Sequence, residues 1–75
     1  MVDEEAALWR RLIEVSERRG YDGHLTILKF STNWRIGFRT PADREEIGKL
    51  SEGETFITAA RRALALAEGR GESSL

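Results

Sequence analysis

The chain has 75 residues, of which 40% are hydrophobic and 33% are charged, and its formal net charge is −1 at pH 7. This length predicts one small domain, and the composition is that of a folded protein rather than a disordered one. The absence of cysteine excludes disulfides and thiolate metal sites. No apolar run reaches the roughly 18 residues of a membrane span. Because the N-terminal sequence MVDEEAALW is acidic and lacks a signal-peptide pattern, we expect a cytoplasmic protein.

The first predicted element is a helix over residues 3–19. Its apolar positions recur at helical spacing, with Leu8, Leu12 and Val15 forming a stripe that Trp9 and Ile13 widen. Acidic residues lie in the first turn, where the helix dipole favours negative charge. Gly20 is the expected C-terminal stop.

A β-hairpin is predicted next, with HLTILKF and WRIGFRT as strands around the sequence STN. A three-residue loop over 31–33 would pair Phe30 with Trp34. One face of the hairpin would then hold Leu28, Phe30, Trp34, Ile36 and Phe38. The opposite face would gather the candidate partner-binding residues, which are Leu25, Ile27, Lys29, Arg35 and Arg39. We prefer this register because it concentrates five large apolar groups, although it places Lys29 opposite Arg35, a like-charge pair.

A two-residue loop at Thr32 and Asn33 is the alternative. It reverses the faces of the first strand, because successive strand side chains point to opposite sides. Leu25 and Ile27 would then join the apolar face, and Lys29 would leave the basic group. The basic character of this segment does not depend on the register, since no Asp or Glu occurs between Gly23 and Ala42.

The second half of the chain predicts two helices and an optional strand. A short helix begins at Pro41, with Thr40 as its N-cap. Residues 47–51 are a candidate third strand. The last helix follows Thr55 and ends at Gly69, with a buried stripe of Phe56, Ala60, Ala63, Leu64 and Ala67. The predicted fold is therefore a single α+β domain over 1–69, ordered α-β-β-α with a possible third strand, followed by a flexible tail over 70–75.

The stretch GETFITAARRALALA resembles the core of the HicB-like antitoxin family, in which a Gly-x-Thr step opens an Ala-rich helix. Gly53, Thr55, Ala59 and Ala63 fit that pattern, whereas Thr58 stands where the family favours an acid. The resemblance covers residues 25–68, and the N-terminal helix is additional. It implies an oligomeric protein that binds and masks a toxin.

Catalytic and metal-binding chemistry finds little support in the sequence. His24 is the single histidine, and it has no positioned partner nearby in the chain. The carboxylates of DREE and EGE lack the alternating pattern of a calcium loop. We therefore expect no catalytic residue, no metal and no cofactor.

The sequence favours a non-enzymatic protein-binding module that docks through its basic hairpin face on an acidic protein surface. Small domains of this type occur among phage and mobile-element inhibitors of host machinery, anti-CRISPR proteins included. The alternatives are a HicB-like antitoxin and a nucleic-acid-binding protein that uses the same hairpin. No membrane partner is expected, and a homodimer through a hairpin edge is a further possibility.

Overall fold

The computed structural model describes residues 3–73, with side chains described for residues 3–68. Its elements in chain order are α1 (Glu4–Ser16), β1 (Thr26–Lys29), β2 (Trp34–Gly37), α2 (Arg44–Gly48), β3 (Ser51–Gly53) and α3 (Phe56–Ser73). The predicted α+β class and element order are confirmed. The third strand is also present, but it starts at the last residue of the predicted 47–51 segment.

The three strands form one antiparallel sheet in the order β1-β2-β3. Ile36 of the central strand is fully buried and belongs to the same core as residues of α1 and α3. We call the side of the sheet that carries Ile27, Trp34 and Ile36 the core face. The opposite side, which carries Leu28, Arg35 and Glu52, is the outer face.

Helix α1 is shorter than predicted. Asp3 caps it by accepting a hydrogen bond of 3.0 Å from the Glu5 backbone N–H. The helix ends at Ser16 rather than at residue 19, because Gly23 N–H donates to the Ser16 carbonyl at 2.7 Å and closes a turn. That turn requires left-handed backbone at Gly20, Asp22 and Gly23, with φ values of 102°, 53° and 81°.

Helix α2 starts at Arg44, three residues later than predicted. Asp43, not Thr40, is the N-cap, and it accepts a 3.0 Å hydrogen bond from Glu46 N–H. The Glu46 carboxylate in turn accepts from the Ala42 backbone N–H at 2.9 Å. The prediction of Thr40 was wrong because this reciprocal acidic pair satisfies two N-terminal donors, as in a capping box.

Helix α3 begins as predicted and ends later. Thr55 Oγ1 accepts a 3.1 Å hydrogen bond from Thr58 N–H, so the predicted cap is confirmed. The predicted stripe is also confirmed, since Phe56, Ala60, Ala63 and Leu64 are buried and Ala67 packs against them. The helix continues past Gly69 to Ser73, because glycine inside a helix costs only about 1 kcal/mol. The predicted flexible tail ends in residues 74–75, which lie outside the described residues.

The contribution of the Thr55 cap to the stability of the protein can be tested by substitution. Thr55→Ala removes the acceptor at the start of α3, and we expect the free energy of unfolding to fall by about 1 kcal/mol. Urea denaturation followed by circular dichroism measures the loss. Thr40→Ala is the matched control, because Thr40 is exposed and caps no helix. An equal loss in both variants would contradict the assignment of the cap.

Helix α1 packs against α3 through aromatic, ionic and apolar contacts. The Trp9 ring stacks on Phe56 with centroids 4.8 Å apart, while Arg11 forms an ion pair with Glu68. These two positions of α3 are about 18 Å apart along the helix axis. Side chains on opposite flanks of α1 therefore reach toward opposite ends of α3. Leu12 and Val15 of α1 are fully buried in one core cluster with the small residues Ala59, Ala60 and Ala63 of α3.

Candidate functional site

The hairpin turns at Ser31 and Thr32. Phe30 N–H donates to the Asn33 carbonyl at 2.7 Å, and Lys29 pairs with Trp34. The preferred three-residue loop over 31–33 is therefore wrong. The loop has two residues, Ser31 and Thr32, one position earlier in the chain than the alternative loop of Thr32 and Asn33. It places the side chains of β1 on the same faces as that alternative does.

This register separates the predicted partner-binding residues. Leu25 and Ile27 are partly buried and pack against the core. Lys29 lies on the core face with its Nζ 5.9 Å from the Trp34 ring centroid, a cation–π distance. Arg35 lies on the outer face, and Arg39 is exposed beyond the end of β2. The predicted single face that gathers these five residues is thus wrong.

A physical reason for the observed register is the removal of a like-charge pair. With Lys29 on the Trp34 side, Arg35 no longer faces another cation across the hairpin. The cost is that Phe30 leaves the core and stays 43% exposed. The gain is that Ile27 pairs with Ile36 at the centre of the core face.

Arg35 has a structural role within the chain. Its Nη2 lies 3.1 Å from the Glu52 carboxylate, and its Nη1 donates to the Gly48 carbonyl at 3.3 Å. Asn33 donates to the same carboxylate oxygen at 2.7 Å. These contacts connect β2 to β3 and to the end of α2. The ion pair is partly exposed, so its contribution to stability is modest, and the Arg35 charge is already matched.

A cleft opens at the end of the sheet beside Gly37. Strand β3 pairs with β2 only as far as Ile36, so the β2–β3 hydrogen-bond ladder ends before Gly37. Leu50, which precedes β3, packs on Gly37, where a β-carbon would collide with the leucine side chain. The far wall comes from the C-terminal half of α3. We call this feature the Gly37 cleft, and its apolar lining includes Tyr21, Phe38, Leu50, Ala63, Leu66 and Ala67.

The Gly37 cleft has the size of one side chain. Its volume is about 60 Å³. Pockets that hold cofactors or drug-sized ligands are several times larger, at about 300–1,000 Å³. Leu66 at its edge is 60% exposed. The cleft therefore fits a small aliphatic side chain presented by another molecule.

Two basic residues, Arg39 and Lys49, also line the Gly37 cleft. Both are exposed. Among residues 3–68, the ion pairs are Arg11 with Glu68, Arg35 with Glu52 and Arg61 with Glu4. Neither cation of the cleft takes part in one. The cleft thus combines an apolar interior with two basic groups that an acidic ligand can reach.

A second, more polar hollow lies where the hairpin loop approaches α3. It is lined by Asn33, Glu52, Glu54 and Arg62, among others. Arg62 donates to the Glu52 carbonyl at 2.8 Å, while the side-chain oxygen of Asn33 is buried without a hydrogen-bond partner. The hollow contains both acidic and basic groups, so it favours neither an anionic nor a cationic ligand.

Catalytic and metal chemistry was not expected from the sequence. His24 is exposed, and its backbone N–H donates to the Tyr21 carbonyl at 2.9 Å. Within the part of the chain that the structure describes, no group of three or more His, Asp or Glu side chains is arranged to hold a metal ion. The absence of enzymatic activity stays a prediction.

Sequence reasoning identified one of the basic residues of the cleft and missed the rest. Arg39 was among the predicted partner-binding residues, whereas Lys49, Leu50 and Leu66 were not. The available signal was Gly37, because an isolated glycine inside a strand often marks close approach of another group. Here that group is the Leu50 side chain.

No family model, curated protein or solved structure matches the chain. The resemblance to the HicB-like antitoxin family therefore stays a prediction. Over residues 3–73, none of the helices has both the length and the apolar character required to cross a membrane.

Proposed function

We propose that this chain is a non-enzymatic protein-binding module that docks an acidic partner at the Gly37 cleft. The observation that carries the proposal is an open apolar cleft of side-chain size with two basic residues that form no ion pair among residues 3–68. An apolar anchor in a pocket with polar groups around it is the usual anatomy of a binding hot spot.

The proposed partner presents one aliphatic side chain flanked by carboxylates. The aliphatic group would fill the space between Phe38, Leu50 and Leu66. The carboxylates would meet Arg39 and Lys49, and arginine is well suited to bidentate contact with a carboxylate. Such a partner fits both biological settings suggested by the sequence, namely host machinery blocked by a phage or mobile-element inhibitor and a toxin masked by an antitoxin.

The test uses a pentapeptide, Asp-Glu-Leu-Asp-Glu, titrated into isotopically labelled protein. We expect amide shift changes to concentrate at residues 37–39 and 49–51. Arg39→Glu combined with Lys49→Glu should weaken binding by about tenfold or more, because each cation becomes a repelling charge. Arg10→Glu combined with Arg19→Glu is the matched control, since it changes the net charge equally at exposed positions that do not line the cleft.

Three results would overturn the proposal. The first is an equal loss of affinity in both double variants, which would indicate only a general charge effect. The second is undiminished binding of a peptide with glycine in place of leucine, which would show that the apolar interior is unused. The third is tighter binding of an oligonucleotide with steep salt dependence, which would assign the chain to nucleic-acid recognition.

A further inference from the structure

Strand β1 is an edge strand whose outward backbone groups can be assigned from the hairpin register. The bond from Phe30 N–H to the Asn33 carbonyl marks a hydrogen-bonded pair, and such pairs alternate along an antiparallel ladder. Leu28 therefore directs its N–H and C=O toward β2. Ile27 and Lys29 direct theirs away from β2, toward a side of the sheet where residues 3–73 supply no further strand.

The free edge of β1 lacks two of the features that normally prevent pairing. Edge strands are usually protected by being very short, by charged side chains such as lysine, by proline or by bulges. Residues 26–29 contain no proline and pair without a bulge, and Lys29 is their one charged residue. Phe30, at the end of this edge, is 43% exposed, and Leu28 on the outer face is only partly buried.

We propose that β1 pairs antiparallel with β1 of a second copy of this chain and joins the two sheets into one of six strands. The hydrogen bonds would connect Ile27 of one copy with Lys29 of the other, because these residues carry the outward groups. The twofold axis would then pass beside Leu28, and the two Leu28 side chains would meet on the outer face. The exposed Phe30 would lie opposite Thr26 of the other copy.

Charge favours a second copy in this register. Centring the axis on Lys29 would oppose two ammonium groups, which is unfavourable. Centring it on Leu28 places each Lys29 opposite an isoleucine instead. The net charge of −1 gives little overall repulsion between copies.

This interface goes beyond the proposed function and is independent of it. Strand β1 lies on one side of β2, whereas the Gly37 cleft lies on the side where β3 ends. A dimer through β1 would thus leave both clefts open. A failure of the self-association test can therefore be distinguished from a failure of the peptide-binding test.

Amide hydrogen exchange of the unmodified protein is the first test. Because a contact of two short strands is small, we expect a weak dimer and would compare samples at about 10 μM and about 1 mM. The amides of Ile27 and Lys29 should exchange about tenfold more slowly in the concentrated sample. The Leu28 amide should not change, since it is bonded to β2 in monomer and dimer. Equal exchange of Ile27 and Lys29 at both concentrations would overturn the proposal.

Sedimentation of two variants at residue 29 is the second test. Lys29→Pro removes an outward N–H while keeping the β1–β2 bonds, as proline is tolerated at strand edges. Lys29→Ala removes the same charge and keeps the N–H. We expect Lys29→Pro to stay monomeric at about 1 mM and Lys29→Ala to dimerise. Dimerisation of Lys29→Pro would refute the edge contact, and if that variant fails to fold, the exchange measurement decides.

Discussion

Gly53→Ala is expected to lower the free energy of unfolding by about 1–3 kcal/mol. Gly53 ends β3 and is buried where that strand meets the first turn of α3. A β-carbon there would lie 2.9 Å from Ala59 Cα and 2.9 Å from the Thr58 carbonyl carbon. These are backbone atoms, which cannot rotate away as a side chain can. The whole helix would have to move from the sheet, and the packing of Ala59 and Ala60 would be lost.

Gly48→Ala is the matched control for Gly53→Ala. It makes the same change at the last residue of α2, where an added β-carbon meets nothing within 4 Å. There alanine should leave stability unchanged or raise it by about 0.5–1 kcal/mol, because glycine is the more flexible residue when unfolded. Urea denaturation of both variants gives the comparison. Similar midpoints for the two would show that the contact of β3 with α3 is not tight.

The helices were predictable because each carries its own signal. Leu8, Leu12 and Val15 repeat at the helical period, and Thr55 supplies a cap directly before an apolar stripe. Such signals lie within a few turns of one another. The ends of the helices were less predictable, because they depend on contacts with residues outside the helix. The end of α1 depends on a hydrogen bond from Gly23 back to Ser16, which is a contact across a turn.

The hairpin register was not predictable from the hairpin alone. Strand β1 has apolar residues on both faces, with Ile27 on one and Leu28 on the other, so alternation does not select a core face. The deciding partner lies outside the hairpin. Glu52 of β3 pairs with Arg35 on the outer face, but three residues of strand give little signal of their own.

The Gly37 cleft could not be predicted because four distant segments form it. Its walls come from the turn after α1, the end of β2, the approach to β3 and α3. Arg39 and Lys49 are ten positions apart in the sequence, on either side of α2. They line the same cleft only because β3 returns antiparallel beside β2. Nothing in the sequence therefore indicates that Arg39 and Lys49 line one cleft, and the binding role of Arg39 stays a prediction.

Ile36→Ala is the second substitution for which we expect a large loss of stability. Ile36 lies at the centre of the sheet and is fully buried among the apolar side chains of α1 and α3. Ile36→Ala should lower the free energy of unfolding by about 2–5 kcal/mol, through lost burial and the cavity left behind. A chain of this length is expected to have a total of only about 4–11 kcal/mol. The variant should therefore be partly unfolded at room temperature in low concentrations of urea.

Ile13→Ala is the matched control for Ile36→Ala, because it makes the same substitution at an exposed position. The substitution is the same, but Ile13 is 50% exposed on α1. There the lost burial is small, and the better helix propensity of alanine offsets part of it. Urea unfolding followed by tryptophan fluorescence, which comes from Trp9 and Trp34 and reports their packing on Phe56, measures both variants. A loss at Ile13 as large as at Ile36 would mean that α1 buries its other flank as well. The half-exposed stripe of Trp9 and Ile13 would then have to be covered in solution.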